Sequence, residues 1–156
     1  MTPTTLRLYR FALSGHAHRA QLALGLMGLP CELIDVDLKK GEHKAPEYLR
    51  MHPFGQVPLL VDGETAIFDS NAILVYLATR YDADERRWLP RDPVAQARVQ
   101  AWLSVAAGQI AFGPAAARLV TLFGAKLNAE ELIARSHALL KVMEGQLTAQ
   151  DFLAGN

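Results

Sequence analysis

The sequence predicts an α/β domain with a mixed β-sheet over roughly its first half, followed by an all-helical domain. Two observations carry this prediction. Short runs with the period of a strand alternate with helical periods in the first half, whereas only the helical period recurs after residue 92. In addition, Asp62-Gly63 separates two short apolar runs, which is typical of a hairpin. We therefore expect a first domain at 1–81, a linker at 82–92 and a helical domain at 93–156.

The beginning of the chain predicts a strand, a helix and a second strand. Residues 5–11 alternate apolar and polar side chains, as a strand does, and Ser14-Gly15 interrupts the pattern. Residues 16–29 carry apolar side chains at helical spacing, and residues 31–36 form another apolar run. A strand, crossover helix and strand in this order predict a right-handed parallel βαβ unit.

The next segment predicts a short helix and then a hairpin followed by a longer helix. Residues 37–57 are polar, with a short helix expected around 46–51 because a proline stands in its first turn. The apolar runs at 58–61 and 65–68 predict the two strands of the hairpin. An apolar stripe then predicts a helix over 70–81.

The second half of the chain predicts helices only. Asp92-Pro93 is typical of a helix start, with an N-cap followed by proline at the first helical position. We expect Gly113-Pro114 to kink or end that helix. Asn128 and Glu131 have the spacing of a capping box, which predicts a further helix over 129–147.

Composition excludes several classes of protein. The chain has 156 residues, with 16 basic and 16 acidic side chains, so no basic surface indicates nucleic-acid binding. Apolar residues make up 51% of the chain, which excludes intrinsic disorder. No uninterrupted apolar run approaches the length of a membrane span, and the first residues lack the plan of a signal peptide. We therefore expect a cytoplasmic protein without a membrane partner.

The cysteine and histidines do not indicate a metal site. Cys31 is the single cysteine, so neither an internal disulfide nor a Cys-x-x-Cys pair can form. The five histidines are scattered, and His16 and His18 are two residues apart, a spacing that does not share a helix face. We expect no metal, and we expect Cys31 to be a buried structural thiol.

Three places have both a structural and a functional interpretation. Val57–Pro58 opens a strand; an ordinary trans bond is the more common state, whereas a cis bond would turn the Val57 backbone toward an extended peptide. Asp69-Ser70 is either a helix cap alone or a site for the charged head group of an α-amino acid. Ser14 is either a cap or a hydroxyl at a ligand site; G-x-S-x-G is absent, which excludes a hydrolase nucleophile.

Taken together, these segments resemble the cytosolic glutathione transferase superfamily. LYRFALSGHAHRAQLALGLMGLP is similar to its first βα unit, and PVAQARVQAWLSVAAGQIAFGPAAA is similar to the first helices of its second domain in bacterial members. The most specific part is P-F-G-Q-V-P followed by D-S-N-A-I-L-x-Y-L. The resemblance covers nearly the whole chain and implies a thioredoxin-like domain followed by an all-helical domain.

The resemblance also implies the residues that contact glutathione. Val57, before a cis Pro58, would pair with the cysteinyl unit through its backbone, and Asp69 and Ser70 would hold the γ-glutamyl end. Three further positions match those that contact the glycyl carboxylate or its surroundings: His43, Lys44 and Gln56.

The hydroxyl of Ser14 matches the group that donates a hydrogen bond to the glutathione sulfur in serine-type members. His16 stands beside it and is expected to be a second donor to sulfur. Three side chains are expected to line an apolar pocket for the second substrate: Leu13, Trp102 and Phe112.

Three departures from the family pattern accompany the match. His16 occupies the loop beside Ser14, where small or amide residues are common in the family. His52 replaces the asparagine that usually precedes this proline, which we expect to alter the local turn more than the chemistry. Family chains usually continue through several more helices after residues 151–156, so the helical domain is expected to be incomplete relative to the family.

We therefore predict a glutathione transferase: the thiolate of glutathione, as co-substrate, attacks a small apolar electrophile. The alternatives are a glutathione-dependent thiol–disulfide or peroxide reductase and a non-catalytic glutathione-binding or interaction domain. A homodimer is expected from the resemblance. The sequence does not identify the electrophile.

Overall fold

The computed structural model describes residues 5–82 and 88–155, which fall into two compact units divided between Trp88 and Leu89. Each unit is described by itself. The predicted linker at 82–92 lies partly outside the described residues, so its boundaries stay a prediction.

The first unit contains a four-stranded mixed sheet with helices on both faces. Its elements are β1 (Leu6–Arg10), α1 (Gly15–Leu26), β2 (Cys31–Asp35), a 3₁₀ turn (Glu42–Lys44), α2 (Pro46–Met51), β3 (Leu59–Asp62), β4 (Thr65–Phe68) and α3 (Ser70–Arg80). The strand order is β2-β1-β3-β4, with β1 and β2 parallel and the other two pairs antiparallel. The predicted parallel strand–helix–strand unit and the predicted hairpin are both present.

Alternation along β3 explains how the sheet supports two layers. Leu60 faces a cluster formed with α1 and α3, whereas Leu59 and Val61 face a second cluster that includes Tyr48 of α2. Successive side chains of a strand point to opposite faces, so a central strand covered on both sides is apolar throughout. All three of these β3 side chains are buried. The two buried clusters therefore fix the positions of the strand and helix ends that form the groove described below.

The element boundaries differ slightly from the predicted ones. α1 ends at Leu26, three residues earlier than predicted. The helix ends there because Gly28 adopts a left-handed conformation with φ of 65°. The hairpin loop is Gly63-Glu64, since Asp62 still pairs with Thr65 as the last strand residue.

The second unit is helical, as predicted. It contains α4 (Pro93–Val105), a π-helical segment (Ala106–Ala115), α5 (Ala116–Phe123) and α6 (Ala129–Ala149). The Asp92 carboxylate caps α4 by accepting a hydrogen bond from the Ala95 N–H at 2.8 Å. The Asn128 side chain caps α6 by accepting from the Glu131 N–H at 3.2 Å. Both helix starts are therefore where the capping residues predict them.

Of the two outcomes expected at Gly113-Pro114, a kink or an end of the helix, the end is wrong, and the kink stays a prediction. The helix runs without a break from Pro93 to Phe123, and proline lies inside its π-helical segment. A π-helical segment changes the hydrogen-bonding register locally, which is how a helix accommodates an interior proline. Gly113 is also buried against α6, where a Cβ at this position would lie 3.6 Å from the Ser136 hydroxyl oxygen.

This continuous helix is long and apolar. The helix Pro93–Phe123 has 31 residues. Its most apolar window has a mean hydropathy of 1.3, and 11% of that window is buried. By length and composition alone, it is the one helix among the described residues that could span a membrane. The sequence predicted no such helix. Apolar helices in the cores of soluble proteins meet the same criteria, so these two properties do not by themselves assign a membrane role.

Candidate functional site

A groove of about 720 Å³ lies on the first unit, where the segments after β1, β2 and β4 meet the loop before β3. Open α/β sheets bind ligands at the carboxyl ends of their strands, so the position is a ligand-binding one. Its lining combines polar, aromatic and backbone groups from residues far apart in the sequence: His16, Leu38, His43, Lys44, His52, Phe54, Gly55, Gln56, Val57, Pro58, Phe68, Asp69 and Ser70.

The N-terminus of α3 forms one end of the groove. The Asp69 carboxylate accepts hydrogen bonds from the N–H groups of Asn71 at 2.9 Å and Ala72 at 3.0 Å. The cap therefore uses these two N–H groups. Fewer free N–H groups remain at this helix start for a ligand carboxylate than the sequence predicted. Asp69 has a φ of 72°, which is unfavourable for a residue other than glycine and is often found at functional sites. Ser70 follows with its side chain buried.

Two side chains of α1 cross to this helix end. The His16 imidazole lies with Nδ1 3.3 Å from the Ser70 Oγ, and the Arg19 guanidinium donates to the Asn71 side-chain oxygen. Burial and the nearby Arg19 charge lower the pKa of His16 below its ordinary value, and the Asp69 carboxylate offsets part of this effect. The structure places His16 Nδ1 beside Ser70, and the predicted donation from His16 to sulfur stays a prediction. Arg19 was not predicted.

Ser14 caps α1. Its Oγ accepts a hydrogen bond from the Ala17 N–H at 3.2 Å, and the residue is half-buried. It is not among the residues that line the groove. Because a hydroxyl has one proton to donate and two lone pairs, capping with a lone pair leaves the proton available to another acceptor. The structural and the functional interpretation of Ser14 are therefore compatible.

The peptide bond between Val57 and Pro58 is cis, as the resemblance implied. The paired residues of β3 begin at Leu59, so Val57 lies outside the ladder, at the wall of the groove. Pro58 itself is fully buried.

Two side chains that come earlier in the sequence hold the loop before β3. The Lys44 ammonium donates to the carbonyl oxygens of Phe54 at 3.0 Å and Gly55 at 2.9 Å. The Tyr48 hydroxyl donates to the Gln56 carbonyl oxygen at 2.6 Å. Burial, with a smaller contribution from Tyr9, raises the pKa of Tyr48 to about 12. Lys44 is thus a clamp on this loop, and one of its three N–H donors remains for a ligand.

Two histidines of the groove have buried Nδ1 atoms without a hydrogen-bond partner among the described residues: His43 and His52. His52 is 3% exposed and is surrounded by the rings of Tyr48, Phe54 and Phe68, with centroid distances of 5.0–6.4 Å. Burial is the main reason that its pKa is lowered. The sequence showed only that His52 departs from the usual asparagine. Tyr48 and Phe54 are its near neighbours in the sequence, whereas Phe68 comes from β4 and has no local signal.

The predicted apolar pocket is not assembled within either unit. Leu13 is 48% exposed in the first unit, whereas Trp102 and Phe112 belong to the second, with Phe112 69% exposed. That pocket therefore stays a prediction. Within residues 5–82 and 88–155, no group of three or more metal-ligating side chains comes together.

The loop clamped by Lys44 depends on Gly55. A Cβ at Gly55 would lie 2.5 Å from the His43 carbonyl oxygen and 2.9 Å from Leu49 Cδ2. Gly41 is the matched control, because its φ is also positive while a Cβ there meets nothing within 4 Å. We expect Gly41→Ala to destabilise the first unit by about 1 kcal/mol from backbone strain alone. Gly55→Ala is expected to cost about 1–3 kcal/mol more because of the clash.

Hydrogen exchange of the β3 and β4 amides measures this difference in the first unit itself. Equal losses of protection in the two variants would show that the close approach at Gly55 does not constrain the loop.

The lowered pKa of His52 makes the stability of the first unit depend on pH. The unfolded chain binds a proton on this ring near pH 6.5, whereas the folded protein binds it only at lower pH. The contribution is therefore fully present above about pH 6.5 and is lost as the pH falls toward the lowered pKa. We expect His52→Asn to lose less stability than wild type between pH 7 and pH 5, as measured by amide exchange.

His18→Asn serves as the control, since His18 is exposed on α1 and outside the groove. Parallel pH profiles for wild type and His52→Asn would contradict the assignment of this pH dependence to His52.

Comparisons with known proteins agree with this geometry. Residues 4–79 match the family model described as the N-terminal domain of glutathione S-transferase. Glutathione S-transferase 3 of Zea mays is 36% identical over 97% of this chain and 71% of its own length. Glutathione S-transferase F10 of Arabidopsis thaliana is also 36% identical, over 88% of this chain and 67% of its own.

Solved structures show the same similarity. A glutathione transferase homologue from Drosophila mojavensis, with bound glutathione, superposes with a TM-score of 0.87 at 28% identity and covers 98% of this chain and 70% of its own. A glutathione transferase from Phanerochaete chrysosporium, in complex with oxidized glutathione, has a TM-score of 0.87 at 28% identity. The match covers 98% of this chain and 72% of the Phanerochaete chain. These relatives confirm the thioredoxin-like fold and the transferase class predicted from the sequence, and the chain belongs to the glutathione transferase superfamily.

Proposed function

We propose that this protein binds glutathione in the groove of its first unit and transfers the glutathione thiolate to a small apolar electrophile. One observation carries the proposal: all seven residues that the resemblance assigns to glutathione line the same groove, although they span positions 43 to 70. A groove of about 720 Å³ is within the ordinary range for small-molecule sites.

The groove offers a different group to each part of the tripeptide. Asp69 and Ser70 are proposed to hold the γ-glutamyl unit, whose ammonium suits a carboxylate and whose carboxylate suits a hydroxyl donor. The backbone of Val57, outside the β3 ladder, is proposed to pair with the cysteinyl unit as an added strand would. The remaining donors at the other end of the groove are assigned to the glycyl carboxylate and its surroundings: His43, Lys44 and Gln56.

The chemistry requires a thiolate but no protein nucleophile. A free thiol has a pKa near 8.5, so only a few per cent is ionised at neutral pH. A hydrogen bond that favours the thiolate lowers this pKa. The thiol proton leaves to solvent, and the sulfur forms a bond to the electrophilic carbon. In a substitution the leaving group departs with its bonding electron pair; in an addition the electron pair of the double bond moves to the neighbouring carbon, which takes a proton from solvent. We propose that Ser14, as in serine-type members, supplies this hydrogen bond.

Two other functions use the same groove. Thiol–disulfide or peroxide chemistry would have to use the sulfur of glutathione itself, since Cys31 lies at the start of β2 and not among the groove residues. A binding module would bind glutathione and conjugate nothing. Measuring glutathione binding, conjugation to a chlorinated nitrobenzene and disulfide reduction with one preparation separates these functions; binding without conjugation contradicts the transferase proposal.

The dimeric state and the location belong to the same proposal. We propose a cytoplasmic homodimer, supported by the family resemblance and by large exposed apolar side chains such as Phe112 at 69% and Phe152 at 68% exposure. Light scattering at micromolar concentration is expected to give twice the chain mass of 17.1 kDa. A single monomeric species over this range would contradict the dimer.

Substituting Ser14 tests the proposed thiolate stabilisation. If its hydroxyl donates to sulfur, Ser14→Ala removes a hydrogen bond to a charged acceptor, worth about 1.5–3 kcal/mol. The pKa of the bound thiol should then rise by about one to two units, and turnover near neutral pH should fall roughly 10- to 100-fold. Ultraviolet absorbance of the bound thiolate against pH measures the first effect directly.

Ser14→Asp is the control for the helix cap. Aspartate caps a helix as well as serine does, but its carboxylate cannot donate to a thiolate. We therefore expect Ser14→Asp to keep the stability of α1 while losing turnover. A titration curve unchanged by Ser14→Ala would remove Ser14 from the mechanism.

A further inference from the structure

The His16 side chain connects the two helix starts at one end of the groove. It lines the groove from α1, and its Nδ1 lies 3.3 Å from the Oγ of Ser70, the first residue of α3 and 54 positions further along the chain. Ser70 is 3% exposed, so its hydroxyl is held in a fixed environment with few partners to choose from.

The hydrogen-bond chemistry of this pair depends on which group donates. If Nδ1 accepts from Ser70, the single hydroxyl proton is used inside the protein. If the Nδ1–H donates to the Oγ, the Ser70 proton is free to donate to a ligand, and donation to the same oxygen polarises the hydroxyl. A carboxylate ligand selects the second arrangement, because it can only accept.

Two positive groups face a carboxylate at this point, and one negative group lies beside them. The positive groups are the N-terminus of α3 and the Arg19 guanidinium, which donates to Asn71 of that helix. The negative group is Asp69, whose charge acts on both His16 and Arg19 and suits the ammonium of the same γ-glutamyl unit. The Asp69 carboxylate is occupied with the Asn71 and Ala72 N–H groups at the cap.

We propose that His16 is a positioning residue for the γ-glutamyl α-carboxylate: it orients the Ser70 hydroxyl toward that carboxylate and is not a donor to the sulfur. This inference rests on the proposed glutathione site. It differs from the sequence-based assignment of His16 as a second sulfur donor, since one ring nitrogen lies beside Ser70.

The first test separates binding from chemistry. We expect His16→Ala to weaken glutathione binding roughly 3- to 10-fold, the effect of one hydrogen bond, and to raise the KM for glutathione equally. The kcat at saturating glutathione and the pKa of the bound thiol should not change. His16→Asn, whose side-chain amide can donate from the position of Nδ1, should restore most of the affinity. His18→Ala, exposed on the same helix, is the control and should bind as wild type.

The second test uses the ligand. The analogue of glutathione in which γ-aminobutyrate replaces the γ-glutamyl unit lacks the α-carboxylate but keeps the amine and the thiol. We expect wild type and His16→Ala to bind this analogue equally by calorimetry. A double-mutant cycle gives the same information within the protein: His16→Ala should add nothing in a Ser70→Ala background, because His16 acts through Ser70. If Ser70→Ala does not fold, the analogue decides.

The outcomes distinguish this inference from the proposed function. Wild type that does not bind glutathione overturns both. Wild type that binds, with His16→Ala binding equally well, overturns the inference alone. An equal loss of affinity for glutathione and for the analogue also overturns it. A raised thiol pKa with unchanged affinity in His16→Ala would return His16 to the sulfur.

Discussion

The turn from β4 into α3 determines one end of the groove, and it depends on the hydrogen bonds that the Asp69 carboxylate accepts. The N–H groups of Asn71 and Ala72 donate to it, which compensates a backbone conformation that is unfavourable for aspartate. The helix behind this turn is anchored by Ile73 and Leu77, both fully buried against the sheet. Because the helix cannot shift, the turn cannot relax, and Ser70 stays directed toward His16.

The other end of the groove is constructed differently, from a loop without regular structure. Its carbonyl groups are occupied by Lys44 and Tyr48, and its tight course passes through Gly55, where no side chain fits. The groove therefore has one wall fixed by a helix cap and one fixed by side chains that bind backbone carbonyl groups. The two ends meet at His52, whose ring centroid lies 5.0 Å from that of Phe68, the residue directly before the cap.

The sequence predicts the fold well where the structure follows local rules. Periodicity, apolar runs and turn residues predict each strand and α-helix that the structure describes in the first unit, because those elements bury apolar side chains in the layers on either side of the sheet. Gly113-Pro114 does not end the helix, since the glycine lies against Ser136 and a π-helical register accommodates the proline. Tertiary packing outweighs a local breaker there, and no local pattern records that packing.

The site is harder to predict than the fold because its contacts are not local. Spacing identifies Asp69 as a cap, but the pairing of His16 with Ser70 joins residues 54 positions apart. The contact of His52 with the Phe68 ring likewise joins the loop to β4. The resemblance supplied the cis bond before Pro58, which base rates alone disfavour.

Net charge gives no indication of the proposed ligand, since the 16 basic and 16 acidic side chains balance over the whole chain. Recognition of glutathione would therefore depend on where charges lie. Among the groove residues, Asp69 is the one carboxylate and Lys44 the one permanent cation, and they lie on different walls. Glutathione carries an ammonium and a carboxylate at the γ-glutamyl end and a carboxylate alone at the glycyl end. With the γ-glutamyl end at Asp69, the ammonium lies against the carboxylate of Asp69 and the glycyl carboxylate lies toward Lys44. Reversing the peptide would place the glycyl carboxylate against Asp69 with no ammonium beside it, so the charges of the groove favour one direction.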